Sequence, residues 1–304
     1  MHMRSMKVTA LAAVALVGAS CTHGQRVGAE TTAAKLLISS DQENQLGLQV
    51  QQELSKQGVK IVTDTLVNRY VQEVSHSVLR FAQKDRPDVT WHVYVIDDPK
   101  TVNAFATPGG YLYVYTGLLL KADNDAEVAG VLGHEAGHVV ARHSARAMVD
   151  QLGLQAVVGM ALGKDPNQVA KVAANLLAGG TMLAHSRGEE TEADEHGVTY
   201  LSQAGYDPNA LITFFEKLKS LEGSQPSILK YLSDHPLTQD RIDHLQQYIA
   251  QHKLTGSNLG TAKLPGVKGQ LEAGVTSEPL SAKTSPPKTP ASPAPAAQPS
   301  STKP

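Results

Sequence analysis

The feature that most constrains this chain is the segment over residues 131–140, which reads V-L-G-H-E-A-G-H-V-V. It places His134 and His138 four residues apart in an apolar run with a helical pattern. Four residues turn an α-helix by about 400°, so both imidazoles project from nearly the same face, one turn apart. Two histidines that bind one tetrahedral zinc ion must project in this way. Glu135 beside them could activate the attacking water. The alternative is that the histidines only cap or line a helix, although burying them unpaired is costly.

Carboxylates are dense in a second segment, residues 186–194, which reads S-R-G-E-E-T-E-A-D. Glu190 and Asp194 are four residues apart and share a helix face. One of them could bind a metal while the other accepts a hydrogen bond from a ligand imidazole. Taken alone, the same pattern fits a solvated acidic helix start that the helix dipole favours.

Composition removes several other classes of function. Cys21 is the single cysteine, which excludes intramolecular disulfides and thiolate clusters, so imidazole and carboxylate must hold any metal. The formal net charge is -2 and aromatic residues make up 5% of the chain. No binding of nucleic acid is therefore expected, because neither a basic field nor stacking platforms are present.

The amino end predicts export. Arg4 and Lys7 precede a short apolar run over residues 8–18 that is too brief to span a bilayer. We therefore predict a signal peptide over residues 1–20 and a location in the cell envelope, on the periplasmic side.

Cys21 directly follows G-A-S, which resembles the lipobox of bacterial lipoproteins, and residues 21–35 read as a flexible tether. This resemblance implies lipidation of Cys21, a membrane anchor and, with Thr22 next in sequence, sorting to the outer membrane. Gly18 departs from the usual large aliphatic residue, so an ordinary signal peptide with a chance cysteine stays open.

The remaining chain divides into a folded region over residues 36–252 and a Pro/Ala/Ser-rich tail over residues 253–304 that is predicted to be disordered. The folded region has mostly helical periodicity, which predicts a mainly helical α+β domain. The charge-poor residues 152–183 are expected to form helices over a cleft or a lid.

Local patterns locate the strands and the main helices of that region. Residues 91–96 and 111–115 read as strands joined through the turn T-P-G-G at residues 107–110. The predicted helices run from Asp125 past Arg146, over residues 187–204 and over residues 238–248.

Four motifs resemble one known family. The H-E-A-G-H segment and the S-R with E-T-E-A-D element are similar to the HtpX/BepA/LoiP-like zinc metallopeptidases, the family of the CAAX prenyl endoprotease. N-A-F-A-T-P-G-G at residues 103–110 and H-P-L-T at residues 235–238 match the segments before and after, in the same order. The resemblance implies a zincin-like domain with a small β-sheet beside the active-site helix, and a zinc metalloendopeptidase.

The resemblance also implies roles at the metal. His134, His138 and Glu190 would bind one zinc ion per chain, Glu135 would be the general base, and Asp194 would support a ligand imidazole. Three further residues stay outside the ligand set, because they are expected to point off the metal-facing side of their helices, namely His143, Glu192 and His196.

The downstream motif offers His235 and Arg241 as donors to the developing oxyanion. In this family the histidine can also occupy the fourth position of the zinc and hold the enzyme inactive. Upstream, Asn103, Ala104 and Phe105 would form a strand edge that binds substrate. The alternatives are a helix-entry histidine at 235 and an asparagine that only starts a turn at 103.

The function that these features favour is a zinc-dependent endopeptidase that removes misfolded or misassembled envelope proteins. One alternative is a zinc-holding chaperone or assembly factor with little proteolysis. Another is a structural helical lipoprotein without zinc. The sequence pattern indicates neither the substrates nor the oligomeric state.

Overall fold

A computed structural model describes residues 38–178 and 185–281 of the chain. The predicted signal peptide, Cys21 and the tether lie outside the described residues, so the predictions made for them stay predictions. The same holds for the tail beyond Ser281.

The described residues form a small sheet and a larger set of helices. The strands are β1 (Lys60–Val62), β2 (His92–Ile96), β3 (Ala104–Thr107), β4 (Tyr111–Tyr115) and β5 (Ser277–Pro279). The helices are α1 (Ser40–Lys56), α2 (Thr65–Asp85), α3 (Thr116–Lys121), α4 (Asp125–Val140), α5 (His143–Leu152), α6 (Leu154–Ala161), α7 (Pro166–Ala178), α8 (Arg187–Gln203), α9 (Ala210–Leu221), α10 (Leu229–Asp234), α11 (Gln239–Gln251) and α12 (Leu264–Ala273). Helices α8 and α11 confirm the helices predicted over residues 187–204 and 238–248.

The sheet has the strand order β3-β4-β2-β1-β5, with β3 at one edge. Strands β3 and β4 form an antiparallel hairpin, and its turn contains Gly109 and Gly110 at φ of 82° and 85°. These left-handed angles suit glycine, which has no Cβ. Strands β2 and β4 are parallel, so the predicted turn does not join them. Parallel neighbours need a longer crossover, and here the segment containing β3 supplies it.

The sheet is the middle layer between two groups of helices. Side chains alternate along β4, as the strand period requires. Tyr111, Tyr113 and Tyr115 pack with α1, α6 and α7, whereas Leu112 and Val114 pack with α2 and α4. The predicted mainly helical α+β class is confirmed. The H-E-x-x-H helix, α4, packs against the face of the sheet that carries Leu112 and Val114.

Helices α4 and α8 approach each other through glycines. A Cβ atom on Gly133 would lie 3.3 Å from the Cα atom of Gly197, and one on Gly137 would lie 2.9 Å from the carbonyl oxygen of Ala193. Larger residues would therefore push the two helices apart. This close contact of the backbones puts the carboxylates of α8 beside the histidines of α4.

The helix that begins at Asp125 ends earlier than the sequence predicts. It was expected to continue past Arg146, but α4 ends at Val140 and a separate helix, α5, begins at His143. Arg142 lies between them with φ of 63° and ψ of 28°, a left-handed conformation that ends an α-helix. Residues after the break therefore do not follow the helical wheel of α4.

Buried ion pairs hold this break in place. The Arg142 guanidinium donates from Nε to Glu43 at 2.8 Å and from Nη2 to the Ile38 carbonyl at 2.6 Å. Arg86 donates to the other oxygen of Glu43 at 2.8 Å and to the Val139 carbonyl at 3.0 Å. The Glu43 carboxylate of α1 thus contacts two buried cations, of which Arg86 also pairs with Asp88, and fixes the direction of the chain after α4.

The prediction that disorder starts at residue 253 is wrong for the described part of the tail. Leu264 and Val267 of α12 are buried in the main core, and β5 pairs antiparallel with β1. A ten-residue helix with two buried side chains and a three-residue strand are too short to produce a clear periodic signal. The folded domain therefore continues to Ser281.

The charge-poor segment over residues 152–183 forms helices, as expected, in its described part. Helices α6 and α7 pack on α1 and on the tyrosine face of the sheet. Lys230 of α10 donates to the carbonyls of Leu176 and Leu177 at the end of α7, at 2.5 and 2.7 Å. The segment thus lies beside the helix that leads to His235. Among the described helices, none has the length and apolar character needed to cross a membrane.

Candidate active site

Helix α4 carries the two predicted histidine ligands into the core. Its first turn is capped by Asn124, whose side chain accepts a hydrogen bond from the Glu127 amide at 3.0 Å. Helices α2, α8 and α9 and strand β3 pack around it, so every residue of α4 is buried. The Nε2 atoms of His134 and His138 lie 3.0 Å apart. The structure therefore brings the two imidazoles together at one point.

Helix α8 supplies two carboxylates to the same point. It begins with a capping box in which Ser186 and Glu189 each bind the backbone N–H of the other. One turn later, the Glu190 oxygens lie 3.6 Å from His134 Nε2 and 3.5 Å from His138 Nε2. Asp194 lies 2.8 Å from His134 Nδ1. Asp194 thus lies at the outer nitrogen of His134 while Nε2 faces Glu190, and its role in supporting a metal ligand stays a prediction.

Arg241 of α11 binds both carboxylates. Its Nε and Nη2 atoms each donate to Asp194 at 2.8 Å, and Nη1 lies 2.8 Å from Glu190 and donates to the Pro236 carbonyl at 2.8 Å. Burial alone would raise the pKa of Asp194, but Arg241 and His134 outweigh it and lower that pKa. The guanidinium is thus engaged on all three nitrogens. This placement favours support of the carboxylates over the predicted contact with an oxyanion.

His235 lies inside the ligand cluster. Its Nδ1 atom is 3.2 Å from His134 Nε2 and 3.3 Å from Glu190, and its Nε2 atom is 3.3 Å from Glu135. Burial disfavours the cation, but Glu190 and Glu135 outweigh it and raise the pKa of His235 to about 9. The structure thus places His235 with the candidate metal ligands rather than at an exposed helix entry.

The donor set fits a zinc ion. One ligand atom from each of four side chains lies within 4.8 Å of the others, and among the described residues this is the one such group of histidines, cysteines and acids, formed by His134, His138, Glu190 and His235. The buried Oε1 of Glu135 makes no hydrogen bond of good geometry, although His235 Nε2 lies 3.3 Å away, and Oε2 of Glu190 has Arg241 Nη1 at 2.8 Å. Buried carboxylates are costly unless cations balance them, and a bound cation would add to the charge of Arg241 here.

Glu135 has the properties of a general base. It is 1% exposed, and burial raises its pKa against the opposing effects of His235 and His134. A carboxylate with a raised pKa accepts a proton more readily near neutral pH. Glu135 is next to His134 in sequence and points to the same cluster, since it contacts His235.

Three residues near the metal ligands were not selected from the sequence. His143 Nδ1 lies 2.9 Å from His138 Nδ1, and His143 Nε2 lies 3.1 Å from Glu192. His185 stacks on His138 with ring centroids 3.9 Å apart. The helical wheel placed His143 off the ligand face, but the wheel does not apply because the helix breaks at Arg142. Glu192 does point away from the cluster, as predicted, and meets His143 there. His196, also left out, stacks on Tyr200.

The predicted substrate edge lies in β3. Ala104 and Phe105 belong to this edge strand, which contacts α4. Asn103 precedes the strand, is fully buried, and donates from its amide nitrogen to Asp234 at 2.8 Å. Its amide oxygen has no partner among the described residues. Asn103 therefore connects the edge strand to the residue before His235, and its predicted contact with substrate stays a prediction.

Two helices that direct two imidazoles and a carboxylate to one point, with a second carboxylate adjoining, define a zincin-like metallopeptidase domain. Comparison with known proteins specifies the family. The model of peptidase family M48 matches residues 65–249, and the chain belongs to this family.

Several relatives carry names that agree with this membership. The mitochondrial metalloendopeptidase OMA1 of Schizosaccharomyces pombe is 35% identical over 182 residues, which cover 60% of this chain and 53% of that protein. The beta-barrel assembly-enhancing protease of Escherichia coli is 30% identical over 224 residues, covering 69% of this chain and 44% of that protein. The putative beta-barrel assembly-enhancing protease of Vibrio cholerae is 31% identical over 201 residues, covering 63% and 41%. The chain spans about half the length of these relatives or less.

Proposed function

We propose that this protein is a zinc-dependent endopeptidase of the bacterial cell envelope that hydrolyses misfolded or misassembled envelope proteins. The observation that carries the proposal is the convergence of His134, His138 and Glu190 beside the buried carboxylate of Glu135. Membership of peptidase family M48 supports the protease role. The relatives named as beta-barrel assembly-enhancing proteases favour an envelope role, whereas the OMA1 relatives are mitochondrial.

The proposed chemistry divides the work between a metal and Glu135. His134, His138 and Glu190 would hold the zinc ion, which would supply Lewis acidity toward a peptide carbonyl and a water molecule. Glu135 takes the proton of the attacking water and passes it to the leaving amine. Arg241 and Asp194 hold Glu190 and His134 in place throughout, because their contacts are buried and charge-assisted.

Substrate would bind at the edge strand β3, and because all four residues of β3 are buried and Ser144 donates to the Ala106 carbonyl, binding would require this edge to open. An extended peptide can add to such an edge through backbone hydrogen bonds, which gives affinity with little side-chain selectivity. Ala104 and Phe105 lie on this strand, and β3 contacts α4 directly. A peptide on β3 would therefore run close to Glu135. This mode fits substrates that expose unfolded segments.

His235 would gate the site. Its imidazole contacts His134, Glu190 and Glu135 at once, so it occupies space that the reacting groups need. Asn103 holds the adjacent Asp234, and Lys230 binds the end of α7. These contacts anchor the segment that carries His235. Release of this segment would open the site for substrate.

Export and lipidation complete the proposal. A signal peptide over residues 1–20 and a lipid on Cys21 would anchor the domain to the outer membrane on its periplasmic side, through the tether over residues 21–35. The apolar run before the single cysteine supports this part. Metabolic labelling with a palmitate analogue tests it, because wild type should incorporate the label and a Cys21→Ser variant should not.

The base is tested by Glu135→Gln. We expect the purified wild type to contain one zinc ion per chain and to cleave an unfolded protein such as casein. Glu135→Gln should keep the zinc and lose cleavage by about 10²–10⁴-fold, because the amide cannot take the proton. Metal analysis and a casein assay measure the two properties separately. Normal cleavage by this variant would refute the mechanism.

The gate is tested by His235→Ala. If the open state holds about a tenth of the molecules, removing the imidazole raises casein cleavage by up to about tenfold. Slower cleavage would instead assign His235 to stabilisation of the oxyanion.

The closed site also favours one alternative function, a zinc-holding chaperone or assembly factor. Suppression of casein aggregation without cleavage, by both wild type and the His235 variant, would support that alternative.

A further inference from the structure

His138 has an indirect support that differs from the support of His134. The Nδ1 atom of His138 lies 2.9 Å from Nδ1 of His143, and Nε2 of His143 lies 3.1 Å from a carboxylate oxygen of Glu192. His138 and His143 are at most 1% exposed, and Glu192 is 7% exposed. Water therefore has little access to this chain of hydrogen bonds.

The positions of the protons in this chain follow from what each group can donate. An ionised carboxylate only accepts, so the Glu192 contact requires a proton on Nε2 of His143. A neutral His143 then has an acceptor at Nδ1, and the 2.9 Å contact requires a proton on Nδ1 of His138. The lone pair of His138 is thereby left on Nε2, the atom that faces His134 and Glu190.

We propose that His143 and Glu192 are positioning residues that fix the tautomer and the ring orientation of His138 as a metal ligand. Outer partners of ligand histidines usually act in this way through a single carboxylate or carbonyl. Here a second imidazole transmits the effect of the carboxylate. This proposal rests on the metal site proposed above, and it adds two residues that do not touch the metal.

The backbone break after α4 makes the contact possible. On a continuous helix, His143 would be rotated well away from His138, because five residues correspond to about 500°. The left-handed residue Arg142 starts a new helix, so the His143 ring meets the outer edge of His138. The pairing of Arg142 with Glu43 holds this geometry. The two imidazoles are therefore positioned by elements that lie outside the metal site.

The direct test reads the tautomers in the unaltered protein. Zinc-loaded wild type with ¹⁵N-labelled histidine gives long-range ¹H–¹⁵N correlations that report which ring nitrogen carries the proton. We expect His138 to carry it on Nδ1 and His143 to carry it on Nε2. A proton on Nδ1 of His143, with either a neutral or a doubly protonated ring, would overturn the proposal.

A second test measures how tightly the metal is held. Glu192→Leu keeps the volume and removes the acceptor, and about tenfold weaker zinc binding is expected in competition with a chelator. Glu192→Gln keeps an acceptor oxygen and should stay within about threefold of wild type. With cobalt(II) in place of zinc, the visible spectrum of Glu192→Leu should also change. Its general folding is checked by thermal unfolding of the metal-free protein.

Glu195→Leu is the matched control. Glu195 is on the same helix and lies 2.8 Å from another histidine, His244, but neither residue contacts a metal ligand. This variant should bind zinc like wild type. If Glu192→Leu also bound zinc like wild type, with an unchanged cobalt spectrum, the proposal would fail. If wild type itself bound no zinc, the proposed metal site would fail as well, so the two failures are distinguishable.

Discussion

The two histidines proposed as metal ligands lie on one helix, yet the protein supports them differently. His134 meets the carboxylate of Asp194 directly at 2.8 Å, and Arg241 binds that carboxylate through two nitrogens. His138 meets a second imidazole, His143, and reaches a carboxylate only one residue further out. The first support contains a strong buried ion pair. The second support depends on the geometry of the break between helices α4 and α5.

This difference separates electrostatic support from positional support. Asp194 carries a charge that Arg241 needs, so removing it affects stability as well as the metal. His143 is not part of that buried ion pair, so its removal should affect the ligand more than the fold. The following changes test this contrast, from the largest expected effect to the smallest.

Asp194→Ala should have the largest effect, because it acts on both properties. It removes the partner of His134 and leaves Arg241, which is 4% exposed, without its main partner. We expect about 100-fold weaker zinc binding and a loss of about 3–5 kcal/mol in the free energy of unfolding. Chelator competition and urea unfolding measure these changes. Asp240→Ala, at an exposed position of α11, is the control, and equal behaviour of the two variants would contradict the contrast.

Gly137→Ala should have an intermediate effect on both supports at once. The new Cβ atom would lie 2.9 Å from the Ala193 carbonyl oxygen and 2.9 Å from the Cβ atom of His196, so α4 and α8 must separate. Overpacking of this kind costs about 1–3 kcal/mol. Gly159→Ala in α6 is the control, since its Cβ atom has nothing within 4 Å and helix propensity favours alanine. Thermal unfolding compares them, and equal melting temperatures would argue against the close helix contact.

The smallest effect concerns His235, which lies beside the two histidines on α4, after the metal is removed. Glu190 and Glu135 raise the pKa of His235 to about 9, above its ordinary value near 6.5, against the effect of burial. Protonated His235 therefore stabilises the metal-free protein fully below about pH 6.5, and this contribution is lost as the pH rises through 9.

Urea unfolding in a chelator at pH 7 and pH 10 measures that contribution. Wild type should lose more stability between the two pH values than His235→Asn, which cannot titrate there. His244→Asn, at a half-exposed histidine, should lose as much as wild type. Equal losses for all three proteins would show that His235 is neutral in the folded, metal-free state.

The sequence allowed the first support to be predicted but not the second. Glu190 and Asp194 are four apart on an uninterrupted helix, so a helical wheel places them on one face, and the family resemblance selected them from their acidic neighbours. The wheel failed for His143 because a non-glycine residue, Arg142, adopts a left-handed conformation. That conformation depends on Glu43, about a hundred residues earlier, and no local pattern reveals such a contact.

The fold shows the same limit. Long helices such as α8 could be predicted from capping and periodicity, because those signals are local. The parallel pairing of β2 with β4 and the addition of β5 to β1 are contacts between distant segments. Short strands such as β5, with three residues, become visible only when their partner is known.

The position of β5 gives the sheet two unequal edges. Pro279 has no N–H to offer, so the outer side of β5 is a poor template for another strand. The opposite edge strand, β3, contains no proline, and its Ala106 carbonyl accepts a hydrogen bond from Ser144. Four strand spacings of about 4.8 Å put the two edges about 19 Å apart. The last described residues of the chain therefore lie at the opposite edge of the sheet from β3, away from the backbone groups proposed to bind a peptide.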